Sequence, residues 1–362
     1  MTAMLAKNIK HSLKIIIAII VMGGTYLTLS TYSSSSSSKN ERAPLNKSII
    51  PIAVLGDSDS HSYRDGYNNK SRGGDYHSVT FNWPALWDRF RPQEVHLGAN
   101  GIWGTHYRIA RVKHWLGLTG RAPKKLDYEY NYAVSGLRCE SLLQDWPYQA
   151  RWLIKRLEND SEQWQNGVVV IRIGVNNLGS TKQLVRWGNT GLDDYAKEVV
   201  NTCVSQISDA IEQILASHRS VKIALLGMCR ACNITDTYTV WPNLSQIDKR
   251  NTVLGSFDQK LITFAKHQDR VLFIDDVQWL IKRYGDRHNE PIKFETTLAD
   301  KTKIISQQGD HPSNLILADY HAGTVYNALW LNNLIDQLNI GYQLHLSPLS
   351  EEEIYSAIKP ML

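Results

Sequence analysis

Four short motifs hold residues that together could carry acyl chemistry. Ser58 lies in Gly56-Asp57-Ser58-Asp59-Ser60, directly after an apolar run. A serine just past a strand and behind a glycine sits where the backbone turns and a hydroxyl can face a cleft. Gly136 ends Asn131-Tyr132-Ala133-Val134-Ser135-Gly136, and a glycine there lets a ligand approach a backbone N–H closely. Asn176, in Gly174-Val175-Asn176-Asn177, brings an amide donor. His311, in Gly309-Asp310-His311-Pro312-Ser313, sits on a loop stiffened by proline and can act as a general base. Other polar residues read as structural. Asp59 and His61 fall on the first helical turn after Ser58, with Asp59 a capping residue. Asp319 and His321 fall inside the pattern of the last helix, and Asp275-Asp276 ends a strand and opens a helix. There is no glycine-rich phosphate loop and no His/Cys metal cluster, so neither cofactor nor metal is expected.

These residues need strands to carry them. Apolar runs of strand length occur at 49–55, 130–134, 168–173, 223–227 and 271–274, with amphipathic stretches at 141–157, 193–215, 245–265 and 315–334. Short buried strands alternating with helices imply a parallel sheet covered on both faces. The expected fold is therefore α/β: a three-layer α/β/α domain with a central, mostly parallel sheet of about five strands. Ligands in such folds sit at the carboxyl ends of the strands, where Ser58, Gly136 and Asn176 fall.

The order Ser58, Gly136, Asn176, His311, each at a strand end or before the last helix, resembles the SGNH hydrolases, also called GDSL esterases and lipases. The resemblance covers most of residues 50–340. It implies that Ser58 is a nucleophile and His311 its base. It also implies an oxyanion hole formed by the backbone N–H groups of Ser58 and Gly136 and the amide of Asn176. In one respect the chain departs from the family. An aspartate is usual three residues before the histidine, and here that position is Gln308. Asp310 adjoins His311 instead, so the imidazole is oriented by Asp310, by Gln308 or a backbone carbonyl, or only weakly.

The stretch 59–129 separates the first two strands and is rich in aromatic residues. Trp83 and Trp103 within it are candidate sugar-stacking residues, which points to deacetylation of a carbohydrate. Transfer of the acyl group to a cell-surface glycan, or glycan binding without catalysis, are the alternatives. Residues 1–31 read as a signal anchor or signal peptide, because Lys7, Lys10 and Lys14 precede an apolar run. Residues 32–48 form a serine-rich linker, 49–345 the hydrolase domain and 346–362 a tail. The catalytic body is thus expected outside the cytoplasm, held at the inner membrane or secreted. Four cysteines, Cys139, Cys203, Cys229 and Cys232, suit an exported chain with a disulfide. The net charge of +5 resides in the first 49 residues, and the remainder balances 34 basic against 34 acidic residues. Nothing in the sequence singles out a basic patch on the body, so no nucleic-acid partner is expected.

Overall fold

The computed structural model describes residues 49–116, 120–228, 243–284, 295–298 and 302–362. The predicted signal segment, its linker and the Cys229/Cys232 pair lie outside them. Among the described residues no helix is long and apolar enough to cross a membrane.

The strands in chain order are β1 (Ile50–Gly56), β2 (Val95–His96), β3 (Asn100–Trp103), β4 (Lys125–Tyr128), β5 (Val168–Arg172), β6 (Lys222–Leu226), β7 (Val271–Ile274), β8 (Glu295–Thr297), β9 (Lys303–Gln308) and β10 (Asn314–Ile316). The main sheet runs β2-β1-β5-β6-β7, and every pairing in it is parallel. Alternate residues of each strand serve opposite faces. Ile52, Val54, Val168 and Val170 pack under helices Trp83–Phe90 and Thr324–Tyr342. Ala53, Leu55, Val169 and Ile171 pack under helices Gln149–Asn159, Asp194–Ser217 and Leu244–Ala265. Strands buried on both faces and helices on each side are the three-layer arrangement that the apolar runs imply.

The strand order reverses at β1, whose neighbours are β2 on one side and β5 on the other. The crevice at such a reversal is where open α/β sheets bind ligands. The edge beside β1 is made of two pieces. β2 pairs with Ile50 and Pro51, and residues 130–134 continue alongside, with Val54 N–H donating to Tyr130 O and Tyr132 N–H to Val54 O. Between these pieces the chain leaves the sheet as the antiparallel pair β3–β4 with helix Tyr107–Trp115 between them. The predicted second strand is therefore the resumption of an interrupted edge.

Two expectations are corrected. Residues 346–362 are not a tail: Leu346, Leu349, Ile354, Ala357 and Ile358 are buried in the core beside helix Thr324–Tyr342. A capping box at Ser350 and Glu353 starts the terminal helix Glu351–Ile358, and Arg91 binds Glu353 at 2.7 Å. The last long helix begins at Thr324, not 315, because residues 314–316 form β10, which pairs with β9. That shift frees Asp319 and His321 from the helix.

Candidate active site

Ser58 lies two residues past the end of β1, and that end is held firmly. The buried Gln149 side chain accepts from Gly56 N–H at 2.8 Å and donates back to Gly56 O at 2.9 Å, acting as a sheet partner at the edge of the turn. Ser58 Oγ lies 2.7 Å from Nε2 of His321. Arg72 Nη2 lies 3.2 Å from the same nitrogen. A guanidinium can only donate, so Nε2 carries its lone pair, which the Ser58 hydroxyl at 2.7 Å and the guanidinium at 3.2 Å share as donors, the hydroxyl being the closer. The ring proton is then on Nδ1, which sits 3.1 Å from Asp319 Oδ1. Hydroxyl, imidazole and carboxylate are thus neighbours in that order, with Nδ1 and Oδ1 within ion-pair distance but outside hydrogen-bond geometry. A small rotation that closes this contact gives the arrangement that activates an alcohol as a nucleophile.

Arg72 joins all three. Its Nε donates to Asp319 Oδ2 at 2.9 Å and its Nη1 to the Ser58 carbonyl at 3.1 Å. The guanidinium is nearly enclosed and stacks on the Tyr63 ring at 4.8 Å. Burial pushes the Asp319 carboxyl upward, but its contacts with His321 and Arg72 outweigh this and hold it well below the ordinary carboxylate range.

The imidazole beside Ser58 is therefore that of His321, not His311. His311 is exposed; its Nδ1 bonds to Ser313 Oγ at 2.6 Å and its ring meets the edge of Tyr76. Asp310 turns away from it, accepting from Ala318 N–H at 3.0 Å. Its Oδ2 lies 2.7 Å from where a side chain at Gly74 would begin, and Gly74 has φ +50, so only glycine fits that approach. Gln308 donates to Ala318 O. Gly323, two residues after His321, is the one hint in the sequence that the helix starts later, but it does not choose between the two histidines. Arg72 carried no such signal, because an arginine in a long polar stretch has no pattern to mark it.

Gly136 and Asn176 lie on neighbouring turns. Gly136 has φ +80 and open space where a side chain would stand, which leaves its backbone approachable. Asn176 donates to Leu137 O at 2.7 Å, tying its turn to the Gly136 turn and leaving one amide hydrogen. Asn177 accepts from Cys139 N–H, and Cys139 is disulfide-bonded to Cys203 of helix Asp194–Ser217. The turn is also held from behind by a fully buried pair. His61 Nε2 lies 2.9 Å from Asp65, and His61 Nδ1 accepts from Ser135 N–H at 3.1 Å. Burial, reinforced by Lys125, pushes His61 down, so this ring is neutral. The helical-turn reading of His61 thus understates it. Below Ser58, Asp57 is buried, and burial and Asp59 push its carboxyl up.

Trp83 does not reach a cleft. It is fully buried beneath helix Thr324–Tyr342, its ring in tilted contact with Trp87 and Trp330. Trp103 is half-buried on β3, its indole N–H donating to Ala99 O. Asp276 does open helix Asp276–Tyr284, and Asp275 caps it through Gln278 N–H. No cluster of three metal-ligating side chains occurs among the described residues.

Residues 52–290 match the GDSL-like lipase/acylhydrolase family. The chain belongs to that family. It is accordingly an ester hydrolase by family, and its five-stranded sheet with helices on both faces is the SGNH α/β fold. The matched segment carries Ser58, Gly136 and Asn176 and stops short of Asp319 and His321. No curated protein matches the chain. Among solved structures it is similar to an extracellular lipase from Streptomyces rimosus, at 14% identity and TM-score 0.43, over 80% of this chain and 99% of that one. Phospholipase A1 from Streptomyces albidoflavus NA297 is similar at 14% identity and TM-score 0.40, over 81% and 99%. A Clostridium thermocellum family 3 carbohydrate esterase is similar at 15% identity and TM-score 0.32, over 82% and 98%. Likenesses this distant carry no argument about substrate.

Proposed function

We propose that this GDSL hydrolase cleaves carboxylic esters through an acyl-enzyme on Ser58, with His321 as base and Asp319 as the group that orients it. The 2.7 Å contact between Ser58 Oγ and His321 Nε2, with Asp319 at Nδ1, carries the proposal. Ser58 Oγ attacks the ester carbonyl as its proton passes to Nε2. The negative charge gathers on the former carbonyl oxygen, where the N–H groups of Ser58 and Gly136 and the Asn176 amide receive it. Such donors act on charge that exists only at this stage, and losing one costs about 10²–10³ in turnover. The tetrahedral adduct collapses, the carbon–oxygen bond to the alkoxide breaks, and the Nε2 proton leaves with the alcohol. Water, deprotonated by His321, then releases the acid and restores Ser58. Arg72 is a positioning residue: it binds the carboxylate, the nucleophile's carbonyl and the base, so it keeps the three in register.

The non-catalytic alternative rested on a missing acid, and Asp319 removes that reason. The carbohydrate reading rested on export of the body, on the aromatic-rich insertion that follows Ser58 and on the polar clusters at 64–69 and 72–77 within it. With Trp83 and Trp87 in the core, the substrate is proposed only as a carboxylic ester. We further propose that the body works outside the cytoplasm, which the Cys139–Cys203 disulfide and the lysine-flanked apolar start support. Labelling of the full chain with a fluorophosphonate tests the reaction. Label on Ser58 that disappears in Ser58→Ala supports it; equal labelling of both proteins rejects it. Recovery of the chain from a cytoplasmic fraction with Cys139 and Cys203 reduced rejects the location.

A further inference from the structure

Helix Tyr107–Trp115, on the excursion between β3 and β4, is amphipathic with its apolar side outward. Ile109, Val112, Trp115 and Leu116 are 50%, 56%, 83% and 51% exposed. At about 100° per residue these four fall within about 120° of one another around the helix axis. Tyr107 and Ala110 fall on the opposite side: Ala110 is buried, and the Tyr107 ring meets Trp146. Small or amphipathic residues thus attach the helix to the body, and the large apolar ones face water. Ile102 and Leu126, directly paired across β3 and β4, are also exposed. Apolar side chains gathered like this mark an interaction surface, whereas scattered ones do not.

The charge of the same stretch identifies the partner. Residues 95–126 contain six Lys and Arg and not one Asp or Glu, although the body as a whole is balanced. Two of the six are turned inward: Lys125 is buried against Asp127, and Arg121 donates to the carbonyls of Glu129 and Asn131. Arg108, Arg111 and Lys124 are exposed and Lys113 is half-buried. Arg111 and Lys113 fall on the two flanks of the apolar stripe, while Arg108 falls within its arc at the start of the helix, where a long side chain can extend to the headgroup level. The body therefore does carry a local basic patch, which the balanced totals conceal.

We propose that this helix docks the protein on an anionic lipid surface, with Ile109, Val112, Trp115 and Leu116 in the acyl boundary and the flanking cations among the headgroups. An apolar stripe edged by cations, with a tryptophan on the apolar side, is what an interfacial helix requires, and each cation near a negative leaflet adds to the attraction. A polyanionic glycan or nucleic acid would use the cations and leave four large apolar residues wet. A second copy meeting this face in a two-fold pair would set cation against cation.

The test is amide hydrogen exchange of residues 107–116 in the full chain, read apart from residues 1–46. It is run with phosphatidylglycerol–phosphatidylcholine vesicles, with phosphatidylcholine vesicles and with none. Exchange should slow about tenfold or more on the anionic vesicles and much less on the neutral ones. An Ile109→Asp/Val112→Asp/Trp115→Ser variant should lose the slowing, and Arg111→Glu/Lys113→Glu should lose most of it. Both should keep the wild-type melting temperature and hydrolysis of a water-soluble ester, because none of these side chains is in the core or the site. Exchange unchanged by vesicles overturns the proposal. So does slowing that survives in the apolar variant, or slowing that follows protein concentration without lipid, which would assign the face to a second copy.

Discussion

Two Asp/His pairs lie on one short stretch of chain, Asp310-His311 and Asp319-Tyr320-His321, and only the second meets Ser58. In the first pair the residues are adjacent, so their side chains diverge: Asp310 takes Ala318 N–H and His311 takes Ser313. In the second, one residue separates them and the backbone turns sharply. Tyr320 has φ +66, and Leu317 N–H donates to His321 O across the turn at 2.7 Å. The turn folds Asp319 back so that Oδ1 faces both the backbone N–H and the ring Nδ1 of His321. Pairing of acid and base therefore depends on the turn between them, not on how close they are in sequence.

That contrast can be broken most forcefully at the second pair. Ser58→Ala and His321→Ala should each lower kcat/KM on an activated ester by about 10⁴-fold or more with the fold retained; circular dichroism and steady-state rates check both halves. Asp319→Asn should follow at about 10³–10⁴-fold, since a neutral amide cannot stabilise the imidazolium and favours the wrong tautomer. A loss under tenfold would place the orienting group elsewhere.

Arg72→Met should cost about 10–100-fold, mostly in kcat, because it loosens three partners without removing a reacting group. Arg72→Lys should recover part of this, as one ammonium replaces one of the three contacts; a change confined to KM would instead mark Arg72 as a substrate-binding group. At the first pair, Asp310→Asn, His311→Ala and Gln308→Asp should each leave the rate within about twofold, and a large loss in any of them would restore that pair to the mechanism.

The smallest effect is in stability. The Asp319 carboxyl is depressed in the folded protein, so the folded state binds fewer protons than the unfolded chain in acid. Its contribution is present above the ordinary carboxylate value and lost as pH falls through the folded one. The stability difference between wild type and Asp319→Asn should thus be on the order of 1 kcal/mol at neutral pH, after solvent screening of a half-exposed carboxylate. It should shrink below about pH 4, measurable by urea unfolding at several pH values.

Much of the molecule was legible in the residues themselves. The runs around Val54, Val170 and Leu225 are buried on both faces, so they had to be apolar throughout, and that pattern survives in sequence as parallel strands. Ser58, Gly136 and Asn176 sit one turn beyond such runs, so their places follow from where the strands end. Choosing between His311 and His321 required the tertiary structure. His311 reads as a loop residue beside a proline and His321 as a helical one, and only the pairing of β10 with β9 and the left-handed Tyr320 turn His321 towards Ser58. Trp83 was misread for a related reason. A tryptophan in a long insertion looks available, but the helix it opens packs beneath Thr324–Tyr342, some 240 residues further along the chain. Arg72 joins acid, base and nucleophile only because residues distant in sequence converge at one crevice. Local patterns record burial and strand ends because each residue bears that cost where it stands, whereas contacts between distant segments leave no mark at either end.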